Sequence, residues 1–272
     1  MFKVVTLYKF VPLTDLAIWQ QKLLSLCKEL TGTLLIAPEG INGTIAGMPL
    51  AIDQVIAQLT AMPTLHDLWY QYAETQKKPF RKLKIRIKKE IVTIANAEAQ
   101  PLKKSGYHVL ATEWNAALAQ AAVVIDVRND YEYRLGTFQG AVNPKTTYFS
   151  EFPKFVTEKL MAYKDKPVAM FCTGGIRCEK ASAYMLANGF KEIYQLNGGI
   201  LQYLANVPAE ETKWQGECFV FDERVSLGHG LAQGKSILCY GCRMPLTTED
   251  LEAHYEPGVR CKYCVPANTK GQ

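Results

Sequence analysis

The sequence lacks the features that direct a chain into or across a membrane. Its first residues, MFKVVTLYKFVPL, contain no basic segment followed by a long apolar core and a small-residue cleavage site. No run approaches the roughly 18 consecutive apolar residues that a membrane-spanning helix needs. We therefore expect a cytoplasmic protein without a membrane partner. In that reducing compartment, the eight cysteines are expected to be thiols or metal ligands and not disulfides.

Motifs for common redox cofactors are also missing. The chain has no glycine-rich dinucleotide fingerprint, no histidine and carboxylate triad for iron, and no flavin motif. The sequence therefore shows no nicotinamide or flavin motif. The composition is ordinary for a folded protein, with 48% hydrophobic and 21% charged residues, and 272 residues allow one large domain or two to three small ones.

Hydrophobic patterning in residues 1–95 predicts a ferredoxin-like α+β sandwich. The predicted order is strand, helix, strand, strand, helix, strand: Phe2 to Phe10, Leu13 to Leu30 capped by Thr14 or Asp15, Thr33 to Ala37, Thr44 to Ala46, Pro49 to about Met62, and Leu68 to Tyr72. The Asn42-Gly43 pair marks the turn of the hairpin. Acylphosphatases share this fold, but no glycine-rich phosphate loop with an arginine is present, so acylphosphatase catalysis is not expected.

A basic segment ends this domain. Residues 77–89 contain eight lysines and arginines and no acidic residue, while the whole chain has a formal charge of +5. Strict alternation predicts a strand that buries Leu83, Ile85 and Ile87 and presents four cations on its other face: Lys82, Lys84, Arg86 and Lys88. This face would suit a nucleic-acid backbone, with Tyr70, Tyr72 and Phe80 as stacking surfaces. The alternative is an edge strand that lysines protect from aggregation.

The stretch after Pro167 concentrates the features of a reactive thiol. Four apolar residues, Val168 to Phe171, predict a buried strand that runs directly into Cys172. Gly174 and Gly175 allow a sharp turn that directs backbone N–H groups inward, and a helix begins after them. The helix dipole and Arg177 should lower the pKa of the thiol, so we predict a thiolate nucleophile. The alternative is an inert core cysteine.

Cys172-Thr173-Gly174-Gly175-Ile176-Arg177 resembles the C-x-x-G-x-R active-site loop of the rhodanese family. The flanks agree: Val124-Ile-Asp126-Val-Arg128-Asn-Asp-Tyr-Glu132-Tyr precedes it, and Gly189-Phe190, Ile193 to Leu196 and Gly198-Gly199-Ile200 follow. The resemblance implies a rhodanese-like α/β domain with a parallel sheet at residues 108–208, joined to the first domain by a linker at 96–107. It implies catalysis by Cys172 with Arg177, and a structural ion pair between Asp126 and Arg128.

Cys178 departs from the serine or other small residue that most rhodaneses carry after the loop arginine. It lies six positions after Cys172, at the predicted first turn of the helix. Two roles remain open for it. Its thiol could resolve an oxidised Cys172 into a disulfide, or it could pack beneath the loop.

The C-terminal extension, residues 209–272, contains two C-x-x-C pairs separated by eighteen residues. Four cysteines at this spacing predict a structural zinc site with no open coordination position: Cys239, Cys242, Cys261 and Cys264. The alternative is four free thiols or two redox pairs.

The whole order of domains resembles the bacterial oxygen-dependent tRNA uridine hydroxylases. Three stretches carry the resemblance: PEGINGTIAG from Pro38, FCTGGIRCEKA from Phe171, and CFVFDERV from Cys218. It implies tRNA as the partner, molecular oxygen as co-substrate, and formation of 5-hydroxyuridine at the wobble position by the cysteine matching Cys172. Two alternatives stay open: sulfur transfer through a persulfide on Cys172, and a non-catalytic RNA-binding module. The sequence does not indicate an oligomeric state.

Overall fold

The N-terminal domain is a five-stranded sheet with two helices on one face. The computed structural model describes residues 1–264. The elements of this domain are β1 (Phe2–Phe10), α1 (Leu16–Leu26), β2 (Thr31–Ala37), β3 (Gly40–Gly47), α2 (Pro49–Thr60), β4 (Trp69–Thr75) and β5 (Leu83–Ile87). The strand order is β4-β1-β3-β2-β5, in which only β5 pairs in parallel, with β2. The predicted ferredoxin-like sandwich is confirmed, with β5 as an additional strand.

The alternation of apolar and polar residues decides which face of this sheet is covered. Val5 and Leu7 of β1 and Leu34 of β2 pack with Leu23 of α1 and Val55 of α2 in one buried core. The intervening residues point to the opposite face, which carries no helix of its own domain. That second face is therefore available to meet the rest of the chain.

Three details of this domain differ from the sequence-based expectation. The prediction that Asn42-Gly43 marks the hairpin turn was wrong, because both residues pair within β3 and the turn between β2 and β3 is formed by Pro38 and Glu39. Helix α1 begins at Leu16 and not at Leu13, because Asp15 adopts a left-handed φ of 52° and the Leu13 N–H donates to the carbonyl of Pro38 at 3.0 Å. The prediction that Ile87 is buried was wrong. Its exposed fraction is 44%, because it ends an edge strand.

The central domain is a four-stranded parallel sheet between helices, as the sequence predicted. Its elements are β6 (Tyr107–Val109), α3 (Trp114–Gln120), β7 (Val123–Asp126), α4 (Asp130–Tyr133), β8 (Gly136–Phe138), α5 (Phe152–Phe155), β9 (Val168–Phe171), α6 (Ile176–Ala187), β10 (Ile193–Leu196) and α7 (Gly199–Asn206). The sheet order is β6-β10-β9-β7. Separate apolar clusters cover its two faces, which explains the continuous hydrophobic run of β9.

Residues 96–107 are packed against the central domain and do not form a free tether. Ala99 is buried in its core, and Glu98 accepts a hydrogen bond from Asn188 at 2.8 Å. The Gly106 N–H donates to Ser182 Oγ at 2.9 Å. The alanine-rich composition of this stretch had indicated a linker, but alanine also allows close packing against a helix.

The C-terminal extension consists of short hairpins and one helix. Its elements are β11 (Trp214–Gly216), β12 (Cys218–Phe219), β13 (Ser226–Leu227), β14 (Ile237–Leu238), β15 (Pro245–Leu246) and α8 (Thr248–His254). Strand β11 pairs with β8, which joins the extension to the central domain. Within residues 1–264, no helix combines the length and hydropathy that crossing a membrane requires.

Candidate active site

Cys172 lies where the most buried strand of the central sheet ends. All four residues of β9 are fully buried, and so is Cys172. The Gly175 N–H donates to Cys172 Sγ at 3.2 Å, and α6 begins at the next residue. The sulfur therefore lies at the N-terminal end of a helix, where the helix dipole favours a negative charge.

Glycine is required at position 175. Its φ is +93°, a conformation that side-chain-bearing residues rarely adopt. A Cβ added there would also lie 3.1 Å from Tyr8 Oη, which reaches this point from β1. The N-terminal domain therefore contacts the loop at its sharpest turn, and the Thr6 methyl group lies 3.9 Å from the Cβ position of Gly174.

The start of α7 holds the other side of the loop. The carbonyl of Cys172 accepts from the Ile200 N–H at 3.0 Å, and the carbonyl of Thr173 accepts from the Leu201 N–H at 3.1 Å. A Cβ at Gly199 would lie only 2.4 Å from the Cys172 carbonyl oxygen. The Gly198-Gly199-Ile200 motif is thus explained by close approach of two backbones.

The surroundings of Cys172 favour its thiolate. Burial alone would raise the pKa of the thiol, but a hydrogen bond from Cys178, the charge of Arg177 and two backbone N–H groups lower it to about 6. Burial and the adjacent sulfur raise the pKa of Cys178 well above its ordinary value, so this residue remains a thiol and a donor. Cys178 thus lies next to Cys172 and donates a hydrogen bond to its sulfur.

Arg177 forms a bidentate ion pair with the buried carboxylate of Glu132. Its Nη1 and Nη2 donate to the two carboxylate oxygens at 2.6 Å and 2.8 Å, and Nη2 also contacts Thr173 Oγ1 at 3.3 Å. Although burial opposes it, the guanidinium holds the pKa of Glu132 below its ordinary value. In this arrangement both terminal nitrogens are engaged by protein, so Arg177 shapes the loop and supplies positive charge from beneath it.

The sequence contained a signal for Glu132 that the motif-based interpretation did not use. Asn129 and Glu132 stand three positions apart, and the structure has a capping box there at the start of α4, with the Asn129 N–H donating to Glu132 Oε2 at 3.1 Å. The local cap thus fixes the carboxylate that Arg177 needs. Only the tertiary structure brings the two together across 45 residues.

Asp126 and Arg128 form a fully buried ion pair beneath the same region. Arg128 Nε and Nη2 donate to the two Asp126 oxygens at 2.8 Å and 2.6 Å, and Nη2 also donates to the Gly136 carbonyl at 2.5 Å. Both side chains have zero exposure. They hold the segment after β7 against β8 and do not line the cleft described next.

Cys172 lies in the wall of a cleft of about 660 Å³ formed by all three parts of the chain. The uncovered face of the N-terminal sheet supplies one wall, including Thr6, Tyr8 and Thr44. The loop from Cys172 to Gly174 with Ile176 and Arg177 supplies the second, and the segment Val220 to Arg224 contributes to the third. Its volume lies in the range of small-molecule and nucleotide sites.

The basic strand shares the cleft face of the N-terminal sheet. Lys84 lies beside Thr33 and Arg86 beside Leu35 in the parallel register, and both partners line the cleft. Lys88, directly after β5, lines the cleft, and Lys82 directly precedes β5. The cationic face of β5 therefore continues the wall that faces Cys172. The strand is also at the sheet edge, so its lysines protect that edge as well.

The aromatic residues near the cleft are not the set that the sequence indicated. Tyr70 and Tyr72 pair with Leu7 and Val5, which face the helices, so they lie on the opposite face of the sheet. Of the predicted stacking residues, only Phe80 lines the cleft. The sequence-based prediction missed two others that line it and are mostly exposed: Tyr148 at 67% and Phe221 at 65%.

The third wall of the cleft contains an ion pair with the same sequence spacing as the pair of Asp126 and Arg128. Arg224 binds Asp222 through Nε at 2.9 Å and Nη2 at 2.6 Å, in the same D-x-R geometry as Asp126 and Arg128. This pair stiffens the turn that carries Phe221 into the cleft. The repeated D-x-R spacing in CFVFDERV was the available sequence signal.

The four cysteines of the extension converge as their spacing predicted. Their sulfur atoms all lie within 4.8 Å of one another: Cys239, Cys242, Cys261 and Cys264. The separations from Cys239 to Cys264, Cys242 to Cys261, and Cys261 to Cys264 are 3.7, 3.6 and 3.9 Å. A tetrahedral ion with sulfur ligands at about 2.3 Å places those sulfurs about 3.8 Å apart, so the geometry fits a metal ion such as zinc.

The fold and the cysteine loop define a rhodanese-domain enzyme with an acylphosphatase-like domain before it and a cysteine cluster after it. The family model of the UPF0176 acylphosphatase-like domain matches residues 2–91, and that of the rhodanese-like domain matches residues 110–206. Relatives that match nearly the whole chain are tRNA uridine(34) hydroxylases, and the chain belongs to this family.

Two of these relatives show how complete the similarity is. The tRNA uridine(34) hydroxylase of Roseobacter denitrificans is 47% identical over 273 residues, which cover 99% of this chain and 92% of that protein. The protein of the same name from Brucella ovis is 47% identical and covers 98% of this chain and 89% of its own. The solved rhodanese-like domain of the Anabaena protein Alr3790 is 19% identical over 40% of this chain and 78% of that domain, with a TM-score of 0.33.

Proposed function

We propose that this protein hydroxylates C5 of uridine 34 in tRNA and that Cys172 is the nucleophile. The observation that carries the proposal is a thiolate at the N-terminus of a helix, in a cleft whose facing wall continues into a basic strand. A small cleft suits one extruded base, while the basic strand suits the backbone around it. The enzyme would act in the cytoplasm.

The thiolate addresses the main chemical difficulty, which is that C5 of uracil is a poor nucleophile. Addition of Cys172 Sγ to C6 forms the S–C6 bond and turns C5 into an enolate-like carbon. C5 then forms a bond to one oxygen atom of a peroxide-level donor, whose O–O bond breaks as the second oxygen leaves as hydroxide. The donor would be molecular oxygen, the co-substrate that the hydroxylase relatives imply, reduced by two electrons from an external reductant. Loss of the C5 proton restores the C5–C6 double bond and expels Cys172 as thiolate.

The loop residues support this chemistry by position. The Gly175 N–H stabilises negative charge on sulfur before attack and after expulsion. Arg177 contributes long-range positive charge while Glu132 fixes its orientation, so we assign it a positioning role. Thr173, Gly174 and Ile176 complete the wall next to the nucleophile.

The substrate proposal rests on the cleft face as a whole. Residues 1–95 would bind tRNA through Lys82, Lys84, Arg86 and Lys88, and residues 108–208 would carry out catalysis. Tyr148 and Phe221, exposed and lining the cleft, offer stacking surfaces for bases next to the reacting uridine. Stacked, unpaired bases are a feature of RNA loops, which is consistent with position 34 in the anticodon loop.

The test is nucleoside mass spectrometry of tRNA from cells that lack this gene and carry either wild type or Cys172→Ala. We expect 5-hydroxyuridine derivatives to return only with wild type. In vitro, tRNA containing 5-fluorouridine should trap an adduct on the peptide that contains Cys172. If 5-hydroxyuridine persists without the gene while a thiolated nucleoside falls, the persulfide alternative replaces the proposal.

We also infer that the four-cysteine cluster holds a structural zinc ion. Cys239, Cys242, Cys261 and Cys264 would provide all four ligands, which leaves no position for substrate. Its role would be to stabilise the extension, which otherwise has only a small apolar cluster of its own.

A further inference from the structure

A line of hydrogen-bonded side chains runs from the cleft to the protein surface. Tyr8 lines the cleft together with Cys172, and its hydroxyl donates to Glu179 Oε1 at 3.4 Å. Glu179 lies in the first turn of α6 and is buried. His108 Nε2 lies 2.7 Å from the same Glu179 oxygen, and the His108 side chain is 45% exposed. Three groups thus connect the cleft with solvent.

Tyr8 is well placed to meet a base bound over Cys172. Its hydroxyl is 3.1 Å from the position of a Cβ on Gly175, the residue whose N–H donates to Cys172 Sγ. The ring is held by Trp69, with the ring centroids 5.1 Å apart. Burial, followed by the charges of Glu179, Cys172 and Cys178, raises the pKa of Tyr8 well above its ordinary value, which keeps the hydroxyl protonated.

At the surface end of this line, the proton between His108 and Glu179 can lie on either group with similar geometry. If His108 Nε2 carries the proton, it donates to the Glu179 carboxylate. If Glu179 carries it, the single lone pair of Nε2 is shared between the Glu179 proton and an N–H of Gln195 Nε2, which lies 2.9 Å away. Gln195 Nε2 is also 3.1 Å from Glu179 Oε2. Among the residues that the structure describes, His108 is the only cationic partner of Glu179.

We propose that Tyr8, Glu179 and His108 form a proton relay, with Tyr8 as a catalytic residue that the N-terminal domain contributes. The inference rests on the proposed hydroxylation. In the last step the C5–H bond breaks, its electron pair forms the C5–C6 double bond, and the C6–S bond pair returns to Cys172 Sγ. The proton passes to Tyr8 Oη as the Tyr8 proton passes to Glu179, then to His108 and solvent. No oxidant or reductant enters this step.

The relay explains why the two domains share one cleft. The rhodanese loop supplies the nucleophile and stabilises its charge, but its own titratable neighbours are the buried thiol of Cys178 and the buried ion pair of Arg177 with Glu132. Neither can carry a proton to solvent. The N-terminal domain provides the missing hydroxyl.

The first test compares Tyr8→Phe with Tyr194→Phe, a matched loss of a hydroxyl that donates to Glu192 outside the cleft. Single-turnover formation of 5-hydroxyuridine in tRNA should fall at least about 100-fold in Tyr8→Phe, the lower end of the usual proton-transfer contribution, and stay unchanged in Tyr194→Phe. The tRNA affinity and the yield of the 5-fluorouridine adduct on Cys172 should match wild type. An unchanged rate in Tyr8→Phe, or an equal loss of adduct and turnover, overturns the relay.

The second test addresses His108, which faces Glu179 and Gln195 and, through Glu179, Tyr8. His108 must be neutral to accept a proton, so wild-type turnover should rise with pH through its pKa. The hydrogen bond to Glu179 raises this pKa above its ordinary value. In His108→Gln the plateau should fall and the ascending limb should move down toward pH 6, the pKa of Cys172.

Added imidazole separates a relay from a structural role. It should restore turnover to His108→Ala, because the His108 site opens to solvent, and it should leave Tyr8→Phe unrepaired. No rescue of His108→Ala together with a wild-type pH profile in His108→Gln would contradict the relay. Wild-type protein that forms no 5-hydroxyuridine would instead contradict the proposed function itself, so the two failures are distinguishable.

Discussion

At the scale of single residues, the ionisation state of each buried group in the site depends on its hydrogen-bond partners and on the neighbouring charges. Cys172 is buried yet ionised because donors surround its sulfur. Arg177 is buried yet charged because its guanidinium donates two hydrogen bonds to the Glu132 carboxylate. Cys178 has no such donors and stays neutral. The same burial thus accompanies opposite ionisation states in neighbouring thiols, because hydrogen bonding outweighs desolvation at one sulfur and not at the other.

The ionisation of Cys172 can be measured directly by alkylation. Because its pKa is lowered to about 6, the rate of iodoacetamide labelling should rise through pH 6 and be flat above pH 7. Peptide mass spectrometry identifies the labelled residue. Cys178→Ala removes one of the stabilising hydrogen bonds, so the midpoint should move to higher pH. Cys27, buried in the first core with a pKa of about 12, serves as the internal control and should stay unlabelled. A labelling midpoint of Cys172 at about pH 8.5 in wild type would contradict the thiolate assignment.

At the scale of elements, two secondary-structure units have functions beyond packing. Strand β5 adds an edge to the N-terminal sheet and directs its cations to the cleft face, as the parallel register with β2 requires. The short hairpin of β14 and β15, with its turn, brings Cys239 and Cys242 together, opposite Cys261 and Cys264. Neither unit is large enough to be stable alone. Strand β5 depends on its pairing with β2, and the hairpin depends on the cysteine cluster.

Charge reversal on β5 should weaken tRNA binding specifically. Lys84→Glu with Arg86→Glu should lower affinity and reduce the magnitude of the slope of log K against log salt by about one for each phosphate that the strand no longer neutralises. The control is Lys22→Glu with Lys28→Glu, an identical change of charge at α1 and just after it, across the sheet from the cleft. Filter binding over a salt series measures both. Equal losses in the two variants would indicate a general charge effect and not a binding face.

The amount of zinc bound to the protein should depend on the four cysteines of the cluster. Purified protein should contain one zinc ion per chain by elemental mass spectrometry, and Cys239→Ser with Cys261→Ser should contain none. Because the ion would hold the extension, a strong chelator should increase proteolysis within residues 236–264 while the N-terminal sheet stays protected. A metal-free protein with a protease-resistant extension would rule out the structural zinc.

At the scale of the whole molecule, buried charges connect the domains. Lys180 lies on the helix that begins at the active-site loop, and its ammonium contacts Glu39 at 2.8 Å and Glu90 at 2.5 Å. Glu39 also accepts from the Ile91 N–H at 2.7 Å, and Asn42 Nδ2 donates to the Ile91 carbonyl at 2.9 Å. Glu39 of the PEGINGTIAG stretch and Glu90 therefore attach the N-terminal domain to α6 of the central domain.

Removal of Lys180 should destabilise the assembled protein. Lys180→Ala leaves two carboxylates without their buried partner, and we expect a loss of about 3 kcal/mol in the free energy of unfolding. Lys191→Ala is the matched control, because its ion pair with Asp165 is exposed and should contribute little to stability. Urea denaturation followed by tryptophan fluorescence measures both variants. Similar losses would mean that the buried contacts do not join the domains.

The sequence alone was sufficient for most features with a local signal, although the Asn42-Gly43 pair lies within β3 and not at the predicted turn. Periodicity indicated both sheets, glycines and a following helix indicated the Cys172 loop, and the C-x-x-C spacing indicated the cysteine cluster. These features depend on residues that are close along the chain. The true start of α1 and the exposure of Ile87 were not predicted, because backbone contacts to Pro38 and a position at the sheet edge decide them.

Only the tertiary structure decided how these local units combine into one site. Tyr8 and Glu179 are 171 positions apart, and Arg177 and Glu132 are 45 apart. Tyr70 and Tyr72 lie on the wrong face of the sheet for stacking, while Tyr148 and Phe221 reach the cleft from other domains. A sequence pattern specifies the face of a strand, but it does not specify which distant element will cover that face. Long-range packing makes that choice, and here it places a hydroxyl, a thiolate and a cationic strand around one cleft.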